Sequence, residues 1–350
     1  MTNPAIDLLD RRPHRPLGVK VVNRSHSYAS SPANNCVFYD LAITNIGQNN
    51  IREGYVGWYV DADVGSTSEL TSYRDDITGA LISDSIAYII DDDGDYDGGF
   101  SCAKTIAFKY LSSSFVPART SFNWWVSSGE PARDFGPQTR AKYRDLQTGG
   151  TGTPEGDRNK YAYLSNGEWD YDQVMTATID STDSIWMYPY QPSAVSLSRG
   201  FDTRFLYSIG PFDLDPGATV YVQYVTFTGD SVHFDSLNFQ DHLLTAYEPQ
   251  AYLANLNFSN LFRNASVADS LAPLLMDALG PPTGLRVAES TPTDLTLVWD
   301  SVFNQGIDGY NIYATPVPDS LFEHQGILPP WLASWQPESP VLCSQIGNTS

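Results

Sequence analysis

The densest group of residues that could do chemistry is the run DDDGDYDGG at 91–99. From Asp93 onward it has the D-x-D-x-D-G opening of a calcium loop, in which carboxylate oxygens at alternate positions surround one ion and Gly permits a sharp turn. An EF-hand requires Glu at the twelfth position, which Lys104 occupies here, and the flanking residues are typical of strands. The sequence therefore argues against an EF-hand and leaves open a calcium site of another kind.

Two further carboxylate pairs follow the same logic, one in VDADVG at 60–65 and one in YRDDITG at 73–79. Both lie near the ends of predicted strands, and if those strands adjoin, the carboxylates converge and their repulsion requires a cation. The alternative is that they are solvated turn residues, a role in which Asp is common. We expect a structural Ca²⁺ whose candidate ligands are Asp61, Asp63, Asp75, Asp76, Asp91, Asp93, Asp95 and Asp97.

Catalytic signatures are missing from the sequence, which holds no HExxH, GxSxG, P-loop or GxGxxG motif. Its five histidines are scattered, and no two have the spacing of zinc ligands. A carboxylate pair for glycoside hydrolysis stays open, because 41 acidic residues offer too many pairs to choose among. The motifs favour a protein without enzymatic activity but do not decide the question.

Aromatic side chains offer a second kind of site. Trp124 and Trp125 alternate across a predicted strand, so one should enter the core while the other faces outward or lies under a loop. An outward ring could stack on a sugar, as in a carbohydrate-binding module, although core packing explains most of the 8 Trp and 21 Tyr. The run WMYPYQP at 186–192 predicts an ordered loop.

The net charge limits the partners. The chain has 20 Lys and Arg against 41 Asp and Glu, a formal charge of −21. This charge argues against nucleic acid and anionic membranes, which both require a basic surface. A hydrophobic fraction of 41% supplies a core, and no run of 18 apolar residues predicts a membrane span. The first 18 residues show no signal peptide. Cys36 and Cys102 could pair if the protein is exported, which would leave Cys343 single.

The elements that must position these residues are mostly strands. Short runs rich in β-branched and aromatic residues, many bounded by turn residues, fill the first 230 positions. They predict strands at 19–22, 36–44, 55–60, 86–90, 105–111, 121–126, 205–209 and 219–229. The segment 127–160 is polar and rich in Gly and Pro, and it predicts a long surface loop.

One region has helical spacing instead. Apolar residues between 239 and 279 recur every three or four positions, and Pro273 is expected to kink or split the segment into one or two helices. Gly280, Pro281 and Pro282 then predict a linker. The expected fold is therefore mainly β, with a β-sandwich-like domain at 1–280, a helical segment near 240–279 and a second domain at 281–350.

The second domain resembles the start of a fibronectin type III domain. A Pro-rich entry at Pro281, Trp299 on a second strand, and the run GYNIY at 309–313 carry the resemblance. It implies a sandwich of about 90–100 residues with Trp299 buried near Leu297 and Ile312. Residues 316–340 depart from the family, and only 70 residues remain after 280. We therefore expect an incomplete sandwich and a longer parent chain.

The larger N-terminal region resembles a β-rich part of secreted bacterial proteins that carry fibronectin type III modules and a sorting signal. This resemblance implies an extracellular or cell-surface structural or adhesive protein, whose partners are other domains of the parent chain, a surface protein or a polysaccharide. The alternatives are an accessory region of a larger extracellular hydrolase and a carbohydrate-binding module. The matching stretches are YDLAITNIG (39–47), YVGWYVDADVG (55–65), DDITG (75–79), AYIIDDDGD (87–95), FNWWVSSG (122–129), YLSNGEWD (163–170) and FLYSIGPFDLDPGATVYVQYVTFTGD (205–230).

Overall fold

The chain divides into two compact units, the N-terminal unit Met1–Pro273 and the C-terminal unit Leu274–Ser350. The structure is a computed structural model, and the predicted linker at 280–282 is not among the residues that it describes. These are residues 6, 11, 13, 15–29, 31–65, 73–94, 104–126, 134–141, 154–276, 286–290, 295–298, 309–314 and 341–347.

Two antiparallel sheets form the N-terminal unit, which confirms the prediction of a mainly β, sandwich-like fold. The large sheet has the strand order β1-β2-β9-β6-β5-β4, and the small sheet has the order β3-β8-β7. The strands are β1 Val19–Ser27, β2 Cys36–Asn45, β3 Ile51–Val60, β4 Asp76–Leu81, β5 Ile86–Asp91, β6 Lys104–Ser113, β7 Arg119–Val126, β8 Thr203–Leu214 and β9 Thr219–Asp230.

Aromatic rings fill the space between the two sheets. Trp58 and Tyr207 extend from the small sheet, and Phe108 and Tyr224 extend from the large one. The ring of Phe108 lies 5.0 Å from Trp58 and 4.9 Å from Tyr207, and Trp58 lies 5.0 Å from Tyr224. These separations are typical of packed aromatic pairs, so the two sheets share one core.

The other face of the large sheet is covered by helices. α3 spans Pro249–Ala254 and α4 spans Ser259–Met276, after a π-helical turn at Gln240–Thr245. Phe258 packs on Tyr88 of β5 at 5.0 Å, and the apolar residues on the buried face of α4 are Leu261, Ala265, Ala268 and Ala272. This confirms helical structure near 240–279, but α4 continues through Pro273, and the interruptions come earlier, before α3 and before α4. Because this helical layer covers the sheet, all six residues of β5 are buried.

In the described part of the N-terminal unit, two short α-helices and one strand escape prediction. α1 spans Asp157–Ser165 and begins inside the predicted loop 127–160, and α2 spans Gln191–Leu197. Residues 134–141 of that loop are also held, because Phe135 bridges to Val126 and Thr139 bridges to Trp186. The missed strand is β4, which forms one edge of the large sheet.

Side chains from a 3-10 helix at Gln173–Thr178 and the residue before it close the β4 edge. The N–H of Thr78 donates to Gln173 Oε1 at 3.1 Å, and the N–H of Ala80 donates to Asp172 Oδ1 at 2.8 Å. These side chains therefore accept hydrogen bonds from N–H groups that could otherwise pair with another strand.

Replacing Asp172 by Asn should flatten part of the pH dependence of stability. Burial raises the pKa of Asp172 to about 6, against the opposing hydrogen bond from Ala80. The unfolded pKa is about 3.9, so the folded state binds more protons between about pH 4 and 6. Its stability should fall across that window, as the pH rises, by on the order of 2–3 kcal/mol. The amide of the D172N variant can still accept the Ala80 hydrogen bond and does not titrate, so urea unfolding at pH 4 and pH 7 in EDTA should show a smaller loss for the variant. Equal losses would contradict the assignment.

The two tryptophans follow the prediction of one core ring and one covered ring, except that a helix and not a loop covers the second. Both are buried, at 0% and 1% exposure. Trp124 belongs to the core between the sheets, as predicted for one of the pair. Trp125 does not face outward, because Tyr163 of α1 covers it at 5.8 Å between the rings. It is therefore not an exposed sugar-stacking ring.

The C-terminal unit is described only as strands. β10 Arg286–Ser290 pairs with β11 Leu295–Val298, and β12 Gly309–Ala314 pairs with β13 Val341–Gly347, both antiparallel. β11 ends just before Trp299, where the second strand was expected, and β12 contains the run GYNIY at 309–313. Trp299 and the Pro/Trp-rich stretch 316–340 fall outside the described residues, so the buried anchor and the incomplete sandwich stay predictions. In the part of the chain that the structure covers, no helix has the length and apolar character needed to cross a membrane.

Candidate metal centre

Strand pairing brings two carboxylates together at one edge of the large sheet. Asp76 is the first residue of β4, and Asp91 is the last residue of β5. The two residues lie directly opposite each other in the antiparallel register. Directly opposed residues share one face of the sheet, with Cβ atoms about 4.5–5.5 Å apart. Two like charges at such a position destabilise the sheet unless something offsets them.

Asp76 is fully buried, with 0% of its surface exposed. Its Oδ1 accepts a hydrogen bond from the N–H of Val64 at 3.0 Å. Its Oδ2 is buried and has no hydrogen-bond partner within the described structure. A buried carboxylate oxygen without a partner carries a desolvation penalty of several kcal/mol if the group is charged.

Other acidic residues surround Asp76. Burial first, together with the negative charges of Asp75, Asp63 and Asp91, raises its pKa to about 9, against the opposing hydrogen bond from Val64. Gly200 allows the chain to pass close to this point, because its φ is +101° and a Cβ there would lie 2.5 Å from the carbonyl oxygen of Asp75. Three carboxylates thus act on the buried carboxylate of Asp76, and we call the four residues together the Asp76 centre: Asp63, Asp75, Asp76 and Asp91.

The turn after β5 adds two carboxylates. The Oδ1 of Asp91 accepts hydrogen bonds from the N–H groups of Asp93 and Gly94, which folds the chain back on itself. One potential ligand atom from each of Asp91, Asp92 and Asp93 then lies within 4.8 Å of the others, and no other group of three within the described residues is this close, so the members of the Asp76 centre would have to move together to share one ion. Asp91 therefore belongs both to this turn and to the Asp76 centre.

Two buried side chains fix the backbone of this turn. The Nε2 of His233 hydrogen-bonds to the carbonyl oxygen of Asp91 at 2.8 Å, and the hydroxyl of Tyr252 donates to the carbonyl oxygen of Asp92 at 2.6 Å. Burial lowers the pKa of His233, against the opposing effects of that hydrogen bond and the charge of Asp93. Two residues that follow β9 in the chain therefore fix the backbone of this turn.

Asp61 has a different environment from the one predicted. Its Oδ1 lies 3.0 Å from the Nε of Arg204, and its Oδ2 accepts a hydrogen bond from Tyr59 at 2.9 Å. Arg204, which is 5% exposed, also pairs with Asp202. The guanidinium already compensates the charge of Asp61. Asp63 follows it closely, and burial first, then the charge of Asp61, raises its pKa, while Arg204 lowers it.

The predicted ligands therefore separate into three groups. Asp63, Asp75, Asp76 and Asp91 act on one position, with Asp93 beside Asp91. Asp61 belongs to the arginine pair, and Asp95 and Asp97 fall in the part that the structure leaves undescribed. Sequence reasoning missed Asp92, because the alternating template of a calcium loop skips it. The available signal was that the strand ends at Asp91, where consecutive residues of a turn can point toward one place.

The donor set of the Asp76 centre is made of carboxylate oxygens. Such hard ligands suit Ca²⁺, which takes six to eight oxygens at about 2.3–2.6 Å, whereas zinc sites draw on Cys and His. Mg²⁺ requires near-ideal octahedral geometry and retains water, which fits partly buried carboxylates from three separate segments less well.

Comparisons with known proteins do not assign this chain to a family. No family model matches it, and no curated protein matches it either.

Proposed function

We propose that the N-terminal unit is a calcium-stabilised structural module of an exported protein, in which the ion binds at the Asp76 centre. The observation that carries the proposal is the buried Oδ2 of Asp76, which has no hydrogen-bond partner in the described structure and lies among other carboxylates. A charged Asp76 requires a positive partner in this position, and a divalent cation supplies one for several carboxylates at once.

The position of the ligands gives the ion a mechanical role. Asp63 follows β3 of the small sheet, whereas Asp76 and Asp91 belong to β4 and β5 of the large sheet. One ion bound to all three connects the two sheets at an edge of the sandwich. The hydrogen bond from Val64 to Asp76 already makes this connection once, and the ion would reinforce it.

The extracellular location that we propose would make calcium the physiological ion. Extracellular modules bind Ca²⁺ with dissociation constants of about 10⁻⁴–10⁻³ M. Because this binding is weak, such sites are filled only where the ion is abundant. The resemblance of 17–280 to secreted bacterial proteins favours that setting, and so does the acidic charge of −21, which attracts cations to the surface. A structural or adhesive role at the cell surface follows from this proposal.

Calcium should raise the melting temperature of the full chain. At 10 mM the ion is at about 10 to 100 times a dissociation constant of about 10⁻⁴–10⁻³ M, which stabilises the folded protein by about 1.4–2.7 kcal/mol. For a domain of this size, that corresponds to an increase of about 3–10 °C. The measurement is thermal unfolding by circular dichroism in EDTA and in 1–10 mM Ca²⁺, with Mg²⁺ at equal ionic strength as the control. Identical melting temperatures in EDTA and Ca²⁺ would overturn the proposal.

Hydrogen exchange tests the connection between the sheets. Calcium should slow exchange in peptides that cover 61–65, the start of β4 and the end of β5 together, because all three segments contain ligands of one site. Peptides from β1, at the opposite edge of the large sheet, serve as the internal control. Protection of the 91–93 turn alone would show that the ion binds only there and does not connect the sheets.

A further inference from the structure

A cavity of the N-terminal unit, separate from the Asp76 centre, is lined by charged and aromatic groups. It has a volume of about 230 Å³, and its lining includes Glu53, Tyr55, Arg119, Tyr161 and Ser165. β3 contributes the first two, Arg119 begins β7, and α1 contributes the last two. Three separate elements therefore meet around one small space.

Glu53 has an unusual backbone conformation. Its φ is +53°, in the left-handed region that residues other than Gly seldom adopt, and the pairing of β3 with β8 shifts register on either side of Gly54. Its N–H donates to Asp213 Oδ1 at 3.1 Å, and its carbonyl oxygen accepts from the hydroxyl of Tyr161 at 2.9 Å. β-bulges often redirect a side chain, and strained residues of this kind are concentrated at ligand sites.

The other polar groups of the cavity are also held in place. The Nη1 of Arg119 donates to the carbonyl oxygen of Ser165 at 3.1 Å. The ring of Tyr161 is 43% exposed and meets the edge of Tyr55 at 5.7 Å. Burial first, then the charges of Glu53 and Tyr55, raise the pKa of Tyr161, while Arg119 lowers it. The charges of Glu53 and Arg119 therefore both influence the pKa of the Tyr161 hydroxyl, in opposite directions.

We propose that this cavity binds one sugar ring of a neutral oligosaccharide. A carboxylate accepts hydrogen bonds from sugar hydroxyls, a guanidinium donates to sugar oxygens, and the exposed tyrosine ring offers an apolar surface to the sugar C–H groups. The volume is below the about 300–1,000 Å³ of sites for drug-sized ligands, so it suits a single ring. The formal charge of −21 disfavours anionic glycans.

This inference is independent of calcium binding, so its test is made with and without the ion. The full chain is titrated with neutral gluco-, xylo-, manno- and chito-oligosaccharides, and binding is followed by saturation-transfer NMR and calorimetry. An alginate oligosaccharide and free amino acids are the competing ligands. We expect a neutral oligosaccharide to bind, and the anionic glycan and the amino acids not to bind.

Three variants localise the binding. E53Q removes the charge but keeps a similar side chain, R119A removes the guanidinium, and Y161F removes the hydroxyl that holds Glu53. Loss of a hydrogen bond to a charged group corresponds to about a tenfold or greater loss of affinity, which we expect for E53Q and R119A with an unchanged melting temperature. Y221F, at an exposed tyrosine on β9, is the matched control for Y161F and should bind normally.

The proposal is overturned if none of the neutral oligosaccharides binds, if E53Q and R119A bind as tightly as the unmodified protein, or if alginate or an amino acid is the ligand instead. If E53Q or R119A melts at a lower temperature, Y161F decides the outcome. Its affinity should then fall relative to Y221F, and equal affinity of the two variants would refute the site.

Discussion

Replacing Phe108 by Ala should destabilise the protein by about 3–5 kcal/mol, as is typical for truncation of a buried aromatic residue. Phe108 is 1% exposed and lies between the sheets, where its ring contacts Trp58, Tyr207 and Tyr224. Its removal leaves a cavity that the strands on both sides can close only in part. Urea unfolding of the full chain, followed by circular dichroism, measures the loss.

The matched control is Phe234→Ala, because Phe234 is 63% exposed. Truncation of a side chain that is already in water should change stability by less than about 0.5 kcal/mol. Similar effects of the two substitutions would show that the sheets do not pack through Phe108 and would contradict the sandwich.

Replacing Asp76 by Asn should lower the stability of the protein in Ca²⁺ but not in EDTA. In EDTA, the variant should be at least as stable as the unmodified protein, because Asn removes a buried acidic group while its Oδ1 can still accept the hydrogen bond from Val64. In 10 mM Ca²⁺, the variant should lose the stabilisation of about 1.4–2.7 kcal/mol that the ion adds to the unmodified protein. Thermal unfolding in both buffers gives the four melting temperatures.

Asp241→Asn is the control for this experiment, since Asp241 is exposed and lies in the π-helical turn far along the chain from the ligands. It makes the same Asp-to-Asn change at an exposed position and should keep the full calcium response. A D76N variant that is destabilised in EDTA would show that the protein itself satisfies the Asp76 carboxylate, and that no cation is needed there.

The strands were predictable wherever one residue in two faces the core. In β2, Phe38 is buried on one side of the strand, and Tyr39 packs flat on Tyr224 on the other side, so the alternation is visible in the sequence. β4 was missed because DITGAL is short and contains Gly79. Its place in the sheet depends on hydrogen bonds to Asp172 and Gln173, about 95 positions later, which no local pattern reveals.

The type of ligand at the site was predictable from the sequence, but only some of the residues that form the site were. The local repeat of Asp residues indicated oxygen ligands for a cation, and the pairing of β4 with β5 brings Asp76 to Asp91 as the adjoining-strand argument required. The position of Asp61 could not be predicted, because its partner Arg204 is 143 residues away. Similarly, α1 is a mostly polar sequence, DRNKYAYLS, with Tyr163 as its one buried residue, so its role as the cover of Trp125 was not visible.

Calorimetric titration of the full chain with CaCl₂, after removal of bound ions with EDTA and dialysis, is the most direct test of calcium binding at the Asp76 centre. We predict one ion per chain at this centre, with a dissociation constant of about 10⁻⁴–10⁻³ M. The binding should be lost in D76N and kept in D241N. An absence of binding up to 10 mM Ca²⁺, or equal binding by D76N and the unmodified protein, would contradict the account.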